Sequence, residues 1–504
     1  MKKTLNAGGH RWTIEDVRQV ARGRARVALP SRGPTRRLVE AGAAYLERLW
    51  REGTPVYGVT TGFGASVDRP VPRELVLELP RQMARFHGCG LGAILDEETT
   101  LAVLTVRLVS LAKGYSGVRW SLLQRLVLMI NRRLLPLIPE EGSVGASGDL
   151  TPLSYLAAAL MGERQVLWRG RRVPARRALR DLGVLPMTLL PKEGLAIMNG
   201  TSVMTGIAIL VYLRATHIAH LACQATALTV AALGGNPGPF DADLFRLKDH
   251  PGQTRAAARI RKMLRGVGGL SHNGRLQDPY AVRCAPHVIG VLEDALDWSR
   301  HWIEREMNGV SDNPLIDGVK KKVLHGGHFY GGHIAFAMDA LKSAVAGVAD
   351  LLDRQVALLV DVRTNHGLPA NLTGATESRL PVNHGLKALQ ISCSAWTAEA
   401  LGLTMPSASF SRSTECHNQD KVSLGTISAR SARRVVELTE QVTVGSLLAG
   451  AQGIELRSKL SGRSIPGSLN DTLHAVRGRV PFLREDRPLD NDLHSLLSWI
   501  RALP

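Results

Sequence analysis

One pattern does most to limit what this chain can become. Between positions 330 and 362 the apolar residues Ile334, Met338, Leu341, Val345, Val348 and Leu352 recur every three or four positions, with Asp339, Lys342, Asp350, Asp353 and Arg354 between them. That spacing predicts one amphipathic helix over the whole stretch, with the charged residues on the side away from the apolar stripe. Similar patterns run through 199–233, 285–308, 382–403 and 420–449. Helices this long need partners along most of their surface. The expectation is a mainly α fold built on a central bundle of long helices shared between subunits.

The first two hundred residues read differently. They hold short apolar segments, many Gly and Pro, and a stretch at 163–175 with the pattern of a small hairpin. The expected division is a smaller mixed domain over 1–198 and a long-helix bundle domain, the oligomer core, over 199–504.

Composition excludes several classes. A chain of 504 residues with 44% hydrophobic residues can bury a large core. The five cysteines (Cys89, Cys223, Cys284, Cys393, Cys416) are scattered and odd in number, which points to reduced thiols and a cytoplasmic location. The basic N-terminus has no apolar segment behind it, against a secretory signal. Residues 215–240 carry no Lys, Arg, Asp or Glu and are long enough to span a membrane. Their Ala and Thr content, with His217, His220 and Gln224, argues instead for a buried core helix. The net charge of +19 invites a nucleic-acid reading, but the Arg clusters at 18–37 and 164–180 show no aromatic interleaving. A solvated Arg-rich surface is the expectation, with attraction of acidic partners or anionic substrates left open.

The chemistry concentrates in Val144-Gly145-Ala146-Ser147-Gly148-Asp149-Leu150. A small-Ser-Gly tripeptide on a tight bend can react with itself, because Gly148 tolerates the compressed backbone that lets its nitrogen reach the Ala146 carbonyl. Loss of two waters would leave a five-membered ring with an exocyclic methylidene from Ser147. The bland alternative is a helix start capped by Ser147 or Asp149.

Other polar blocks interrupt apolar or Gly-rich segments. Tyr57 lies in a loop with Gly58, Gly62 and Gly64, where it could enter a pocket as acid or base, or simply sit in a surface loop. Phe86-His87 follows a predicted helix. Asn199 opens the pattern at 199–233, as a cap or as an amide offered at the helix's positive end. Gln277, Tyr280 and Arg283 form a dense block in which the Arg fork suits a carboxylate and Tyr280 shares a helical face with it. The three histidines at 325–333, before and after Phe329, have no Cys or carboxylate pattern to support a metal. Glu415 and Gln419 sit in a polar block, Thr414 to Asp420, read as the start of the helix at 420–449.

Together these blocks resemble the aromatic amino-acid ammonia-lyase family, which includes histidine, phenylalanine and tyrosine ammonia-lyases and related aminomutases. The likeness runs from Tyr57-Gly58-Val59-Thr60-Thr61-Gly62-Phe63-Gly64 to Val480-Pro481-Phe482 and on to Asp490. It implies a methylidene-imidazolone prosthetic group formed from Ala146, Ser147 and Gly148, with no metal or nucleotide cofactor. It implies a helical homotetramer with active sites assembled from several subunits. By resemblance, Tyr57 takes the substrate β-proton and Arg283 pairs with its carboxylate. Asn199 and Tyr280 orient the amine and the prosthetic group, while Gln277, Phe329, Glu415 and Gln419 line the pocket.

The family pair at Phe86-His87 faces the substrate ring. Histidine lyases resemble Ser-His there, tyrosine lyases His-Leu and phenylalanine lyases Phe-Leu, so this chain is a hybrid. Gln419 stands where histidine lyases usually have Glu, and a neutral amide lacks the charge to hold a protonated imidazole. His328 stands where the family usually has Asn. His87 could bond a ring hydroxyl, so the expected substrate is tyrosine or a substituted tyrosine, then phenylalanine, with histidine the alternative. An aminomutase and a non-catalytic basic binding protein are the remaining readings.

Overall fold

The computed structural model describes residues 2–267 and 274–502. The chain is mainly helical. In order along it, the elements that matter for the site are α1 (Leu79–Phe86), α2 (Glu97–Leu111), α3 (Leu150–Leu160), α4 (Pro191–Met198), α5 (Ser202–Leu233), α6 (Ala285–Asn308), α7 (Gly332–Val360), α8 (Lys387–Gly402) and α9 (Gly425–Ser461). The strands are short. Lys3–Asn6 pairs in parallel with Ala25–Ala28, and Leu135–Pro136, Gln165–Trp168 and Arg171–Pro174 form an antiparallel sheet. The hairpin expected at 163–175 turns at Arg169 and Gly170, both at positive φ, as a two-residue hairpin turn requires.

Two compact units are interleaved in sequence. The first is Met1–Val211, Arg300–Asp339 and Pro406–Arg430; the second is Tyr212–Ser299, Ala340–Met405 and Ser431–Pro504. Four of the five divisions between them fall inside α5, α6, α7 and α9, and the fifth lies between Met405 and Pro406, after α8.

In the first unit, α2 is buried on nearly every face, and the Asp96 side chain caps it by accepting the Thr99 N–H at 2.7 Å. The opening turns of α5 pack on it backbone to backbone, since a Cβ on Gly206 would lie 2.9 Å from the Val103 nitrogen. In the second unit, Gln355 on α7 bonds Thr226 on α5 at 3.0 Å, and Arg214 on α5 forks onto Glu440 on α9 at 2.8 Å to each oxygen. Gly450 lets α9 close on Leu228 of α5, where an added Cβ would lie 2.7 Å from the Leu228 Cβ.

The apolar stripe on α7 is buried as its spacing predicts: Ile334, Met338, Leu341, Val345, Val348 and Leu352 have no exposed surface. The charged side departs from expectation. Asp350 and Arg354 form an exposed pair, but Asp339, Lys342 and Asp353 are buried. Each is satisfied by a docked segment: Asp339 accepts the Ser407 and Ala408 N–H groups, Lys342 donates to the Met405 carbonyl, and Asp353 accepts the Ser394 hydroxyl. Buried polar groups persist only with such partners, and periodicity alone cannot foresee them. Boundaries shift too. The pattern at 382–403 becomes helical only at Lys387, after a short 3-10 turn (Glu377–Val382), and that at 420–449 starts at Gly425 and runs on to Ser461. The charge-free stretch of α5 is core, with Ala225, Ala227, Leu228 and Val230 fully buried.

Candidate active site

Ser147 stands in a run of left-handed backbone. Gly145 has φ +68°, Ser147 +51° and Gly148 +73°. For Ser147 this conformation is strained and must be held by its surroundings. Gly148 has no alternative, because a Cβ there would lie 2.3 Å from the Gly200 carbonyl oxygen and 2.5 Å from its nitrogen. Among the described residues no acceptor takes the Gly148 N–H.

The next residue anchors the bend. Asp149 occupies the N-cap position of α3 but makes no side-chain bond to that helix. Its carboxylate accepts the Val203 and Met204 N–H groups at 3.0 and 2.9 Å, in the first turn of α5, and the hydroxyls of Ser143 and Thr426. The capping reading of this segment thus holds for Asp149 in a modified form, since it caps a different helix. Burial pushes its carboxyl up, against the opposing pull of the four hydrogen bonds.

A cavity of about 310 Å³ opens beside Ser147. Of the residues expected at the site, Tyr57, Phe86, His87, Ser147, Asn199, Glu415 and Gln419 line it. Phe63, Met83, Leu150 and Leu195 complete its apolar wall. The packing of α1 on α4 is tight at Gly194, where a Cβ would lie 2.7 Å from the Pro80 Cβ. It sets Phe86 and His87, at the end of α1, and Asn199, just past α4, around one space.

Asn199 is not the cap of α5. It follows the last turn of α4, with its N–H on the Leu195 carbonyl at 2.7 Å. Its side chain is buried, and its Oδ1 has no hydrogen-bond partner among the described residues.

Tyr57 accepts the Gly64 N–H on its hydroxyl at 2.8 Å and meets Phe63 edge to face. Burial raises its phenol above the usual range, the Gly64 N–H opposes this, and the Glu415 charge adds to it. Glu415 pins the same loop, accepting the Ala65 N–H at 2.8 Å on one oxygen and the Asn418 amide on the other. The block from Thr414 is no helix start. Thr414 and Gln419 pair across a tight turn in which Glu415, Cys416 and His417 all take positive φ.

His87 Nδ1 lies 3.0 Å from the Met83 carbonyl, one helical turn back. A carbonyl only accepts, so Nδ1 carries the proton and Nε2 is an acceptor. Burial holds the imidazole below its ordinary range, keeping it neutral. Gln419 Oε1 accepts the Thr414 hydroxyl at 2.9 Å, which leaves its amide N–H groups to donate.

Three expected residues belong to the second unit. Tyr280 and Arg283 form one short helical turn there (Tyr280–Arg283), with the guanidinium over the Tyr280 ring at 4.4 Å and its Nε on the Asp278 carbonyl. They share a face, as their spacing predicts. Tyr280 is 72% exposed. Neither these two, nor Gln277, nor Phe329 in the first unit, lines the cavity. Sequence reasoning in turn did not single out Met83, Phe63, Leu150 or Leu195. Only Met83 carried a usable signal, its spacing of four from His87 on a predicted helix.

The chain matches the family described as aromatic amino acid lyase over residues 12–477. It belongs to that family. The enzymes of the family are carbon–nitrogen lyases, and this aromatic amino acid lyase has relatives that cover nearly its whole length. It is 38% identical to the histidine ammonia-lyase of Aromatoleum aromaticum over 98% of this chain and 92% of that one. Among solved structures, tyrosine aminomutase from Streptomyces globisporus superposes with a TM-score of 0.91 at 33% identity, covering 99% of this chain and 97% of that one. Histidine ammonia-lyase from Trypanosoma cruzi gives 0.89 at 30% identity, covering 99% and 93%.

Proposed function

We propose that this lyase removes ammonia from L-histidine to give the trans-imidazolyl acrylate, urocanate. The observation that carries the reading is the chain-long likeness to proteins named histidine ammonia-lyase. The cavity supports it. A neutral imidazole offers one N–H and one bare ring nitrogen, and His87 Nε2 and the Gln419 amide are an acceptor and a donor on the cavity wall. The missing Glu at position 419 weighs less on this view, because the substrate ring is held uncharged. The tyrosine preference drawn from Gln419 and from His87 as a partner for a ring hydroxyl yields to histidine on these grounds. It remains the second reading, favoured by His87 as a partner for a ring hydroxyl and by the likeness to a tyrosine aminomutase.

The backbone around Ser147 fits the family's methylidene-imidazolone: three left-handed residues, no room for a side chain at Gly148, and an N–H without an acceptor. Once formed from Ala146, Ser147 and Gly148, that group supplies an electrophile for the substrate amine. The chain's own residues do the rest. Asn199 Oδ1, buried and unpartnered, accepts an N–H of the amine. Tyr57, as phenolate, takes the β-proton, and the Gly64 N–H on its oxygen favours that form. Phe63, Met83, Leu150 and Leu195 keep water from the ring.

We infer a homotetramer in the cytoplasm, with Tyr280, Arg283 and Phe329 of neighbouring subunits completing each cavity and Arg283 clamping the carboxylate. Separate incubation with L-His, L-Tyr and L-Phe tests the reading. Urocanate from L-His at the highest kcat/KM supports it, coumarate from L-Tyr selects the second reading, and a β-amino acid as main product would make the protein an aminomutase.

A further inference from the structure

A buried positive charge lies under the Gly148–Gly200 contact, and no step above uses it. Arg107 on α2 has no exposed surface. Its Nη1 donates to the Ser311 carbonyl at 2.9 Å, while its Nε and Nη2 have no hydrogen-bond partner among the described residues. The carboxylate that acts on it is Asp312, and Asp312 Oδ2 is already bonded to Lys192 Nζ at 2.7 Å, with both of those side chains fully buried. Two cations therefore share one anion. Asp149 is nearby but spends its oxygens on two hydroxyls and the first turn of α5. Burial pushes the guanidinium only down to about 10, so it stays charged at neutral pH. A buried, half-satisfied charge is costly to keep, and such cost gathers where a function needs it.

The geometry ties this charge to the reactive tripeptide. A Cβ on Gly200 would lie 1.9 Å from Arg107 Nη1, and a Cβ on Gly148 would lie 2.3 Å from the Gly200 oxygen. The Gly200 peptide is thus one layer of backbone between the guanidinium and Gly148.

We propose that Arg107 is a positioning residue for ring closure, backing Gly200 against Gly148 and supplying positive charge while the Ala146 oxygen turns negative. The inference rests on the prosthetic-group reading above. In the closure the Gly148 nitrogen bonds to the Ala146 carbonyl carbon, the carbonyl π pair moves to oxygen, and that oxygen takes the proton shed by the Gly148 nitrogen. The hydroxyl leaves as water with the proton of the Ser147 nitrogen, giving a C=N bond. Ser147 then loses its Oγ with its Cα hydrogen as a second water. Only the first addition builds charge on oxygen, and a preorganised cation acts there.

Intact mass and thermal melting of the freshly purified full-length protein test this with Arg107→Met, Arg107→Lys and the control Ser147→Ala. Wild type is expected to be two waters lighter than its encoded mass and the control to keep every water. A wild type at full encoded mass overturns the prosthetic-group reading itself, and the present proposal with it. With wild type closed, Arg107→Met is expected to fold yet carry the unclosed mass, closure being slowed by about 10²-fold. Arg107→Lys, which keeps charge but not the fork, is expected to be a mixture of closed and unclosed chains. If Arg107→Met fails to fold, a folded Arg107→Lys with unclosed chain supports the proposal. Complete closure in any folded Arg107 variant overturns it, as does failure of both variants to fold, which would make Arg107 a folding residue only.

Discussion

Tyr57 carries two opposing demands. It must lose its proton to act as a base, yet burial and the Glu415 charge hold it as a phenol, and only the Gly64 N–H pulls the other way. Its phenolate is scarce at neutral pH, so kcat/KM should climb as pH rises, with a limb above the usual phenol value of about 10. Tyr57→Phe should lower kcat by about 10²–10⁴-fold and remove that limb. A limb that survives in the variant would assign it to another group. At this scale the sequence was most informative where a residue type has few other uses. Gly148 could be read because only glycine tolerates its bend. Asn199 was found, but of its two readings, cap of α5 or amide offered to a substrate, the cap falls away, because the break between α4 and α5 is held by the Gly200 contact with Gly148 and not by a local turn signal. The acceptor state of His87 depends on a single carbonyl, that of Met83, and residue types alone do not report it.

Elements show what periodicity can and cannot carry. The stripe on α7 gave the helix and its buried face, since apolar burial follows spacing. Asp339, Lys342 and Asp353 were assigned to solvent because a pattern registers charge, not the segments that later dock on it. Arg457 makes the same point on α9. It is buried, with Nε on the Ala232 carbonyl at the end of α5 at 2.8 Å, and its Nη1 and Nη2 on the carbonyls of His366 and Asn365. It satisfies one helix-end carbonyl, that of Ala232, and two carbonyls in the turn that follows α7. Arg457→Met should cost about 3 kcal/mol and lower the melting temperature by several degrees. The Ser147 cavity lies in the other unit, and Arg457 bonds to none of the residues assigned to the site, so kcat at low temperature should stay near wild type. An unchanged melt would show that these three bonds are replaced by water without loss.

At the scale of the whole molecule, ion pairing engages part of the basic content but leaves the net charge of +19 as it is. Arg22, Arg133 and Arg300 pair with Glu98, Glu97 and Glu15. Family membership and the helical fold were legible because the polar blocks keep their order along the chain, whereas the assembly was not, since one chain's sequence does not say which subunit fills which cavity. The proposed sharing has a direct consequence. Tyr57→Phe and Arg283→Met chains, each inactive alone, should recover about a quarter of wild-type activity when co-expressed at equal amounts, because one site in four then draws both native residues from different subunits. No recovery would place Tyr57 and Arg283 of each site on one chain.

Substrate choice is the sharpest test of all, because the His87 acceptor and Gln419 donor were matched to a neutral imidazole. The decisive measurement is kcat/KM for L-His, L-Tyr and L-Phe under one condition, with products separated. L-His should lead by at least about 10-fold, giving urocanate and ammonia in equal amounts. A higher kcat/KM for L-Tyr, with coumarate as product, would contradict the histidine assignment and make His87 the partner of a ring hydroxyl.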